Sequence, residues 1–158
     1  MNREIRKLRQ SFLYAISGLR ACMRTERNFR IHLTAAVYVS VFAALGGLSA
    51  TRYAVLCLCF ALMMAAELLN TAIERLCDRQ AVCYDGLVKE AKDIAAAAVF
   101  LCALFCVVIG AVFFLPSGAL WQAVHVLLKH LWGLGLLVLS LPVALWFVFG
   151  FGRYPMKH

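Results

Sequence analysis

The sequence predicts an all-α integral membrane protein, built from an N-terminal amphipathic surface helix, three core transmembrane helices and a fourth, C-terminal transmembrane helix. Three observations carry that expectation. Of 158 residues, 64% are hydrophobic and the mean hydropathy is +0.83, whereas soluble domains are only about 45–50% apolar. Four apolar runs, at roughly 31–48, 53–73, 94–115 and 131–151, each approach the ~20 residues that cross ~30 Å of hydrocarbon. Lysine and arginine also sort by connection. Eight lie in residues 1–30, one (Arg52) between the first two runs, four (Arg75, Arg79, Lys89, Lys92) between the second and third, one (Lys129) before the fourth, and two (Arg153, Lys157) after it. Fourteen against two places both termini and the 75–93 loop on the cytoplasmic side.

Residues 1–30 read as the surface helix. Ile5, Leu8, Phe12, Ile16, Leu19 and Met23 form one narrow helical stripe flanked by Arg6, Arg9, Arg20, Arg24 and Arg27, the pattern of a helix lying among lipid headgroups. Each of these cations serves either as an interfacial anchor or as a phosphate contact, and Gly18 is a place for the helix to loosen. No apolar h-region interrupts the charges, so the segment is not a signal peptide. Residues 31–115 then form a three-span core, and residues 116–158 an outer interfacial segment with the extra span. Pro116-Ser117-Gly118 ends the third run, 119–130 forms a short interfacial helix, and Pro142 bends the fourth run without breaking it.

The seven cysteines form neither a disulfide framework nor a zinc site. Their count is odd and several sit within apolar runs. Rows of small residues, Ala98, Cys102, Cys106 and Gly110 in the third run and Cys57, Ala61 and Ala65 in the second, make close helix packing and self-association available. The net charge of +8 comes with no nucleic-acid-binding motif, so no nucleic-acid partner is expected.

The chemistry concentrates in Glu67-Leu-Leu-Asn-Thr-Ala-Ile-Glu-Arg-Leu-Cys-Asp78. At about 100° per residue, Glu67, Asn70, Thr71, Glu74 and Asp78 share an arc of roughly 100°. Glu67 follows an uncharged run, which makes it an intramembrane ionisable group and hence a functional candidate. All eight acids lie at or before Asp93, so the chemistry faces the cytoplasm. Three clusters can meet there: Glu26 among arginines, the Glu67–Asp78 stripe, and Lys92-Asp93. Carboxylates for Mg²⁺, a cation for phosphates and one carboxylate kept back as a base are the parts of a phosphoryl transfer. No Walker or kinase Gly-rich loop is present.

The stripe Glu67–Glu74 with Asp78, followed by Ala91-Lys-Asp-Ile-Ala-Ala-Ala-Ala-Val99, closely resembles the signature of the small bacterial integral-membrane lipid kinases, the prokaryotic diacylglycerol kinase and undecaprenol kinase family. Gly18-Leu-Arg-Ala21 and Glu26-Arg-Asn-Phe-Arg-Ile-His-Leu33 extend the likeness, the latter towards the undecaprenol kinase branch, over about residues 5–115. The resemblance implies a homotrimer of three-span subunits with composite sites, in which Mg²⁺-ATP phosphorylates a membrane lipid alcohol, foremost undecaprenol and otherwise diacylglycerol. It makes Glu67 the catalytic base and Glu26 and Glu74 the metal ligands, with Asn70 and Asp78 supporting. Lys92, Asp93, Tyr14, Lys7, Tyr84 and Asp85 would contact the nucleotide together with Glu26 and Glu74. The fourth span departs from the family pattern and, lying after every catalytic candidate, reads as peripheral. Two other classes stand beside the kinase. A non-catalytic assembly or regulatory protein, a degenerate kinase, is disfavoured by the joint presence of the site residues; a small transporter would spread ionisable groups along several spans.

Overall fold

The computed structural model describes residues 3–80 and 85–152, and every regular element among them is helical. Helix α1 spans Arg3–Thr25, α2 Arg27–Leu45, α3 Ala50–Gln80, α4 Gly86–Phe114, α5 Ala119–Lys129 and α6 Leu131–Leu145, which continues into a π-helical turn at Trp146–Gly150. Arg27–Leu45, Ala50–Arg79, Gly86–Phe114 and Leu131–Gly150 are long and apolar enough to cross a membrane. The chain is an all-α, multi-pass membrane protein.

Two boundaries differ from the sequence reading. The surface helix stops at Thr25 instead of residue 30, and the chain turns at Glu26 (φ −97°, ψ 113°) before α2 begins. No glycine or proline marks that break, whereas α1 runs unbroken through Gly18. The expected 75–93 loop is mostly helix, because Glu74–Arg79 contains only residues that tolerate helix and Asp85 caps α4, its side chain accepting from the Leu87 N–H at 2.9 Å. Polar composition there marks the end of the membrane rather than the end of a helix.

The core is a seam along α3. Leu56, Cys59, Met63, Glu67 and Thr71 are all buried, and their steps of three and four residues put them on one face. The polar stripe is therefore the continuation of the packing face. Helix α4 lies along α3 with Ala95 buried and the Cys106 thiol 3.6 Å from the Cys59 carbonyl. The small-residue row of α4 thus partly faces α3, as expected, but Cys57, Ala61 and Ala65 of α3 are exposed, one step off the buried seam. Ile5, Leu8 and Phe12 of α1 are 57%, 60% and 63% exposed, so this part of its apolar stripe finds no partner among the described residues, while Cys22 near its end is buried.

Helix α5 buries Ala119, Ala123 and Leu127 against α2. Backbones approach closely there, and a Cβ on Gly46 would collide with the Ala119 carbonyl. Helix α6 then descends antiparallel to α2. Tyr38 and Ser140 hydroxyls lie 2.8 Å apart, and Arg30 Nε donates to the Val148 carbonyl at 3.1 Å, two pairs separated by the same eight residues, or about 12 Å, on each helix. None of Leu131–Leu145 is buried, so the fourth span runs along the outside of the fold. Its inner end reaches the α1–α2 corner.

Candidate functional site

Glu67 sits where the packing seam of α3 turns polar, and only 2% of it is exposed. Its Oε1 lies 3.3 Å from His32 Nε2 of α2, within ion-pair range but off the line of a hydrogen bond, so that oxygen has no hydrogen-bond donor among the described residues. One turn on, Asn70 donates Nδ2–H to Glu74 Oε1 at 3.0 Å, which leaves its own buried Oδ1 without a donor. Two acceptors one helical turn apart are thus buried and unsatisfied, a costly state that a ligand bearing a proton or a positive charge would relieve.

The α1–α2 corner docks against this stripe. Thr71 donates its hydroxyl to the Glu67 carbonyl at 2.9 Å, so the Cys22 thiol, 3.4 Å away, is the donor to Thr71 Oγ1. Thr25 donates to Glu26 at 2.7 Å and accepts from Arg75 at 2.8 Å. Glu26, at the α1–α2 break, and Glu74, on α3, each lie within electrostatic reach of Glu67. Because the Glu26 side chain turns to Thr25, the first turn of α2 has no side-chain cap, and its free amide N–H groups form a positive end suited to phosphate.

The other candidates divide. Lys92 pairs with Asp78 at 2.8 Å, tying the start of α4 to the end of α3, and Asp93 is exposed beside it. Asp85 is spent on capping α4. Lys7 is exposed and pairs with Glu4 on its own helix, and the Tyr14 hydroxyl accepts from Gln10; a straight α1 holds them about 28 and 18 Å from Glu26. This chain does not bring Lys7, Tyr14 or Asp85 to Glu67. Tyr84 lies outside the described residues. Sequence reading missed His32, although its position six residues after Glu26 was in plain view, and it missed Arg30, whose charge looked like one of many.

A cleft of about 570 Å³ opens from His32 between α2, α3 and α4. Tyr38, Phe42, Met63, Cys106 and Leu120 line it along most of the membrane depth. It is apolar apart from the end at His32.

The Mg²⁺ expected from the sequence can be tested against the donor set. No group of three or more His, Cys, Asp or Glu side chains converges among the described residues, so no closed protein cage exists there. Mg²⁺ that arrives with a nucleotide needs only one or two carboxylates besides phosphates, and Glu26 and Glu74, both partly exposed, fit that requirement.

Apolar spans around a buried carboxylate, 3.3 Å from a histidine that lines an apolar cleft, define a membrane protein with an intramembrane acidic site. The chain belongs to the prokaryotic diacylglycerol kinase family, which it matches over residues 13–114. It is 45% identical to a diacylglycerol kinase of Synechocystis sp. over 107 residues, 67% of this chain and 61% of that protein. It is 39% identical to an undecaprenol kinase of Bacillus subtilis over 114 residues, 72% of this chain and 93% of that protein.

Proposed function

We propose that this protein is a lipid kinase that transfers the γ-phosphate of Mg²⁺-ATP to the hydroxyl of a membrane lipid alcohol, undecaprenol foremost and diacylglycerol otherwise. One observation carries the reading: Glu67 is buried, its Oε1 lacks a hydrogen-bond donor among the described residues, and it lies 3.3 Å from His32, which lines the polar end of the apolar cleft. A lipid tail in the cleft would bring its hydroxyl to Glu67. The Glu67 carboxylate takes the hydroxyl proton as the lipid oxygen bonds to the γ-phosphorus, and the bond from that phosphorus to the bridging oxygen breaks to release ADP. Glu26 and Glu74 would hold Mg²⁺, which neutralises phosphate charge, and the free amides of α2 would receive phosphate oxygens. Lys92, held by Asp78, and Asp93 flank the nucleotide side.

The preference for undecaprenol is supported by the Glu26–Leu33 likeness and by the match that covers nearly all of the Bacillus subtilis relative. A homotrimer with composite sites accounts for the exposed row Cys57, Ala61 and Ala65 and for Lys7 and Tyr14, which would then serve a neighbouring subunit. The deciding experiment gives purified protein radiolabelled ATP, Mg²⁺ and a panel of lipid alcohols. Label should enter undecaprenol first. If no lipid is labelled by protein that is folded and binds nucleotide, the non-catalytic assembly role replaces this one.

The site faces the cytoplasm of the bacterial inner membrane in this reading, with both termini inside. Single-cysteine variants at Arg52 or Lys129 should react with an impermeant thiol reagent from outside intact cells, and one at Arg79 should not. Labelling at Arg79 from outside would invert the topology.

A further inference from the structure

Arg30 is only 6% exposed, and no carboxylate pairs with it among the described residues. Its guanidinium is spent on backbone carbonyls instead. Nη1 donates to Met23 at 3.0 Å and to Arg24 at 3.2 Å, and Nε donates to Val148 at 3.1 Å. Met23 and Arg24 lie in the last turn of α1, and Val148 in the last turn of the fourth span. Those are carbonyls that a helix cannot satisfy for itself, and they carry the negative end of the helix dipole. One buried cation therefore caps two helix ends at once, and the carbonyl dipoles offset the cost of burying its charge.

The tail is shaped for this meeting. Gly152 follows the π-helical turn with φ +91°, and a Cβ there would collide with the Arg24 carbonyl and stand 3.4 Å from Arg30 Nη1. Glycine alone adopts that conformation without strain and admits that approach. Arg30 is one turn into α2 from Glu26, and the break at Glu26 has no local cause in the sequence. The corner is fastened to α3 through Cys22–Thr71 and Thr25–Arg75, and to the fourth span through Arg30. That span lies beyond the residues 13–114 shared with the family.

We propose that Arg30 is a positioning residue and that the inner end of the fourth span is part of the active-site frame: together they hold the α1–α2 corner, and so Glu26, over the Glu67–Glu74 stripe. The catalytic consequence rests on the proposed metal role of Glu26; the clamp itself does not.

Cys22 reports on the clamp without any activity. It is 2% exposed, and burial pushes its thiol up from the ordinary cysteine range, so it is a slow nucleophile while the corner is docked. The full-length protein and the full-length variants Arg30→Met, Arg30→Lys and Gly152→Val are treated with N-ethylmaleimide, and each cysteine is followed by mass spectrometry. Loss of charge-assisted bonds in Arg30→Met should speed modification of Cys22 by about tenfold or more. Arg30→Lys should restore part of the protection, and Gly152→Val, which leaves Arg30 in place and pushes the tail away, should also expose Cys22. Buried Cys59 of α3 should keep its parental rate, and the Mg²⁺ concentration for half-maximal lipid phosphorylation should rise in the same order as Cys22 exposure. Parental protection of Cys22 in Gly152→Val overturns the role of the fourth span, and parental protection in Arg30→Met overturns the clamp entirely. If Arg30→Met exposes Cys59 as well, Gly152→Val decides alone. If Cys22 responds as expected but the parental protein phosphorylates no lipid, the clamp stands and the kinase reading falls.

Discussion

Replacing Glu67 with Gln lowers kcat by about 10²–10⁴-fold and leaves Mg²⁺-ATP binding close to its parental value. The substitution keeps the shape of the side chain in a site with 2% exposure, and it keeps the backbone carbonyl that accepts from Thr71. What it removes is the ability to take a proton. A neutral amide in place of a buried carboxylate also relieves a charge burial, so the variant should unfold at a temperature no lower than the parental protein. That separates lost chemistry from lost fold. His32, at 3.3 Å, remains to meet the amide oxygen. The measurements are single-turnover phosphorylation of the lipid, calorimetric nucleotide binding and thermal unfolding in the same detergent. Parental turnover in a Gln variant that binds nucleotide normally would take Glu67 out of the mechanism.

Glu26→Gln and Glu74→Gln should each raise the Mg²⁺ concentration at half-maximal rate by about 10–100-fold, a range that even outer-shell changes reach in metal sites. Both substitutions spare the local bonds. A Gln at position 74 still accepts from Asn70 Nδ2, and one at position 26 still accepts from Thr25. The two acids come from different elements, one from the break between α1 and α2 and one from α3, so a shared effect on Mg²⁺ is not expected from a general loss of helix stability. The readout is a Mg²⁺ titration at saturating ATP and lipid. Unchanged Mg²⁺ dependence in both variants removes them as ligands, whereas a change in only one leaves a single-carboxylate site.

The spans and the polar stripe were legible because they are properties of residues near one another in the chain. Hydropathy summed over about 20 residues locates a span, and the 3.6-residue period places Glu67, Thr71 and Glu74 on one face. The same period shows that Leu56, Cys59 and Met63 precede them on that face. The sequence alone does not say that this is the face that packs, and the small-residue row Cys57, Ala61 and Ala65 was the more persuasive candidate for an interface. The seam was settled by larger side chains, since Leu56, Cys59 and Met63 are buried on the face that lines the cleft between α2, α3 and α4 while the small row stays exposed.

By itself, then, the sequence determined a four-span helical membrane protein, an amphipathic first helix, a carboxylate stripe at the end of the second span and the family to which these belong, because local composition and periodicity are enough for each. Only the tertiary structure decided that the chain breaks at Glu26, that His32 faces Glu67, that Lys92 is held by Asp78, and that Arg30 ties α1 to the fourth span. Each of those rests on partners between 6 and 118 residues apart. A glutamate between Thr25 and Arg27 has no local reason to stop a helix. The carbonyls at the end of α1 are met there by a guanidinium that reaches them only after the chain has turned.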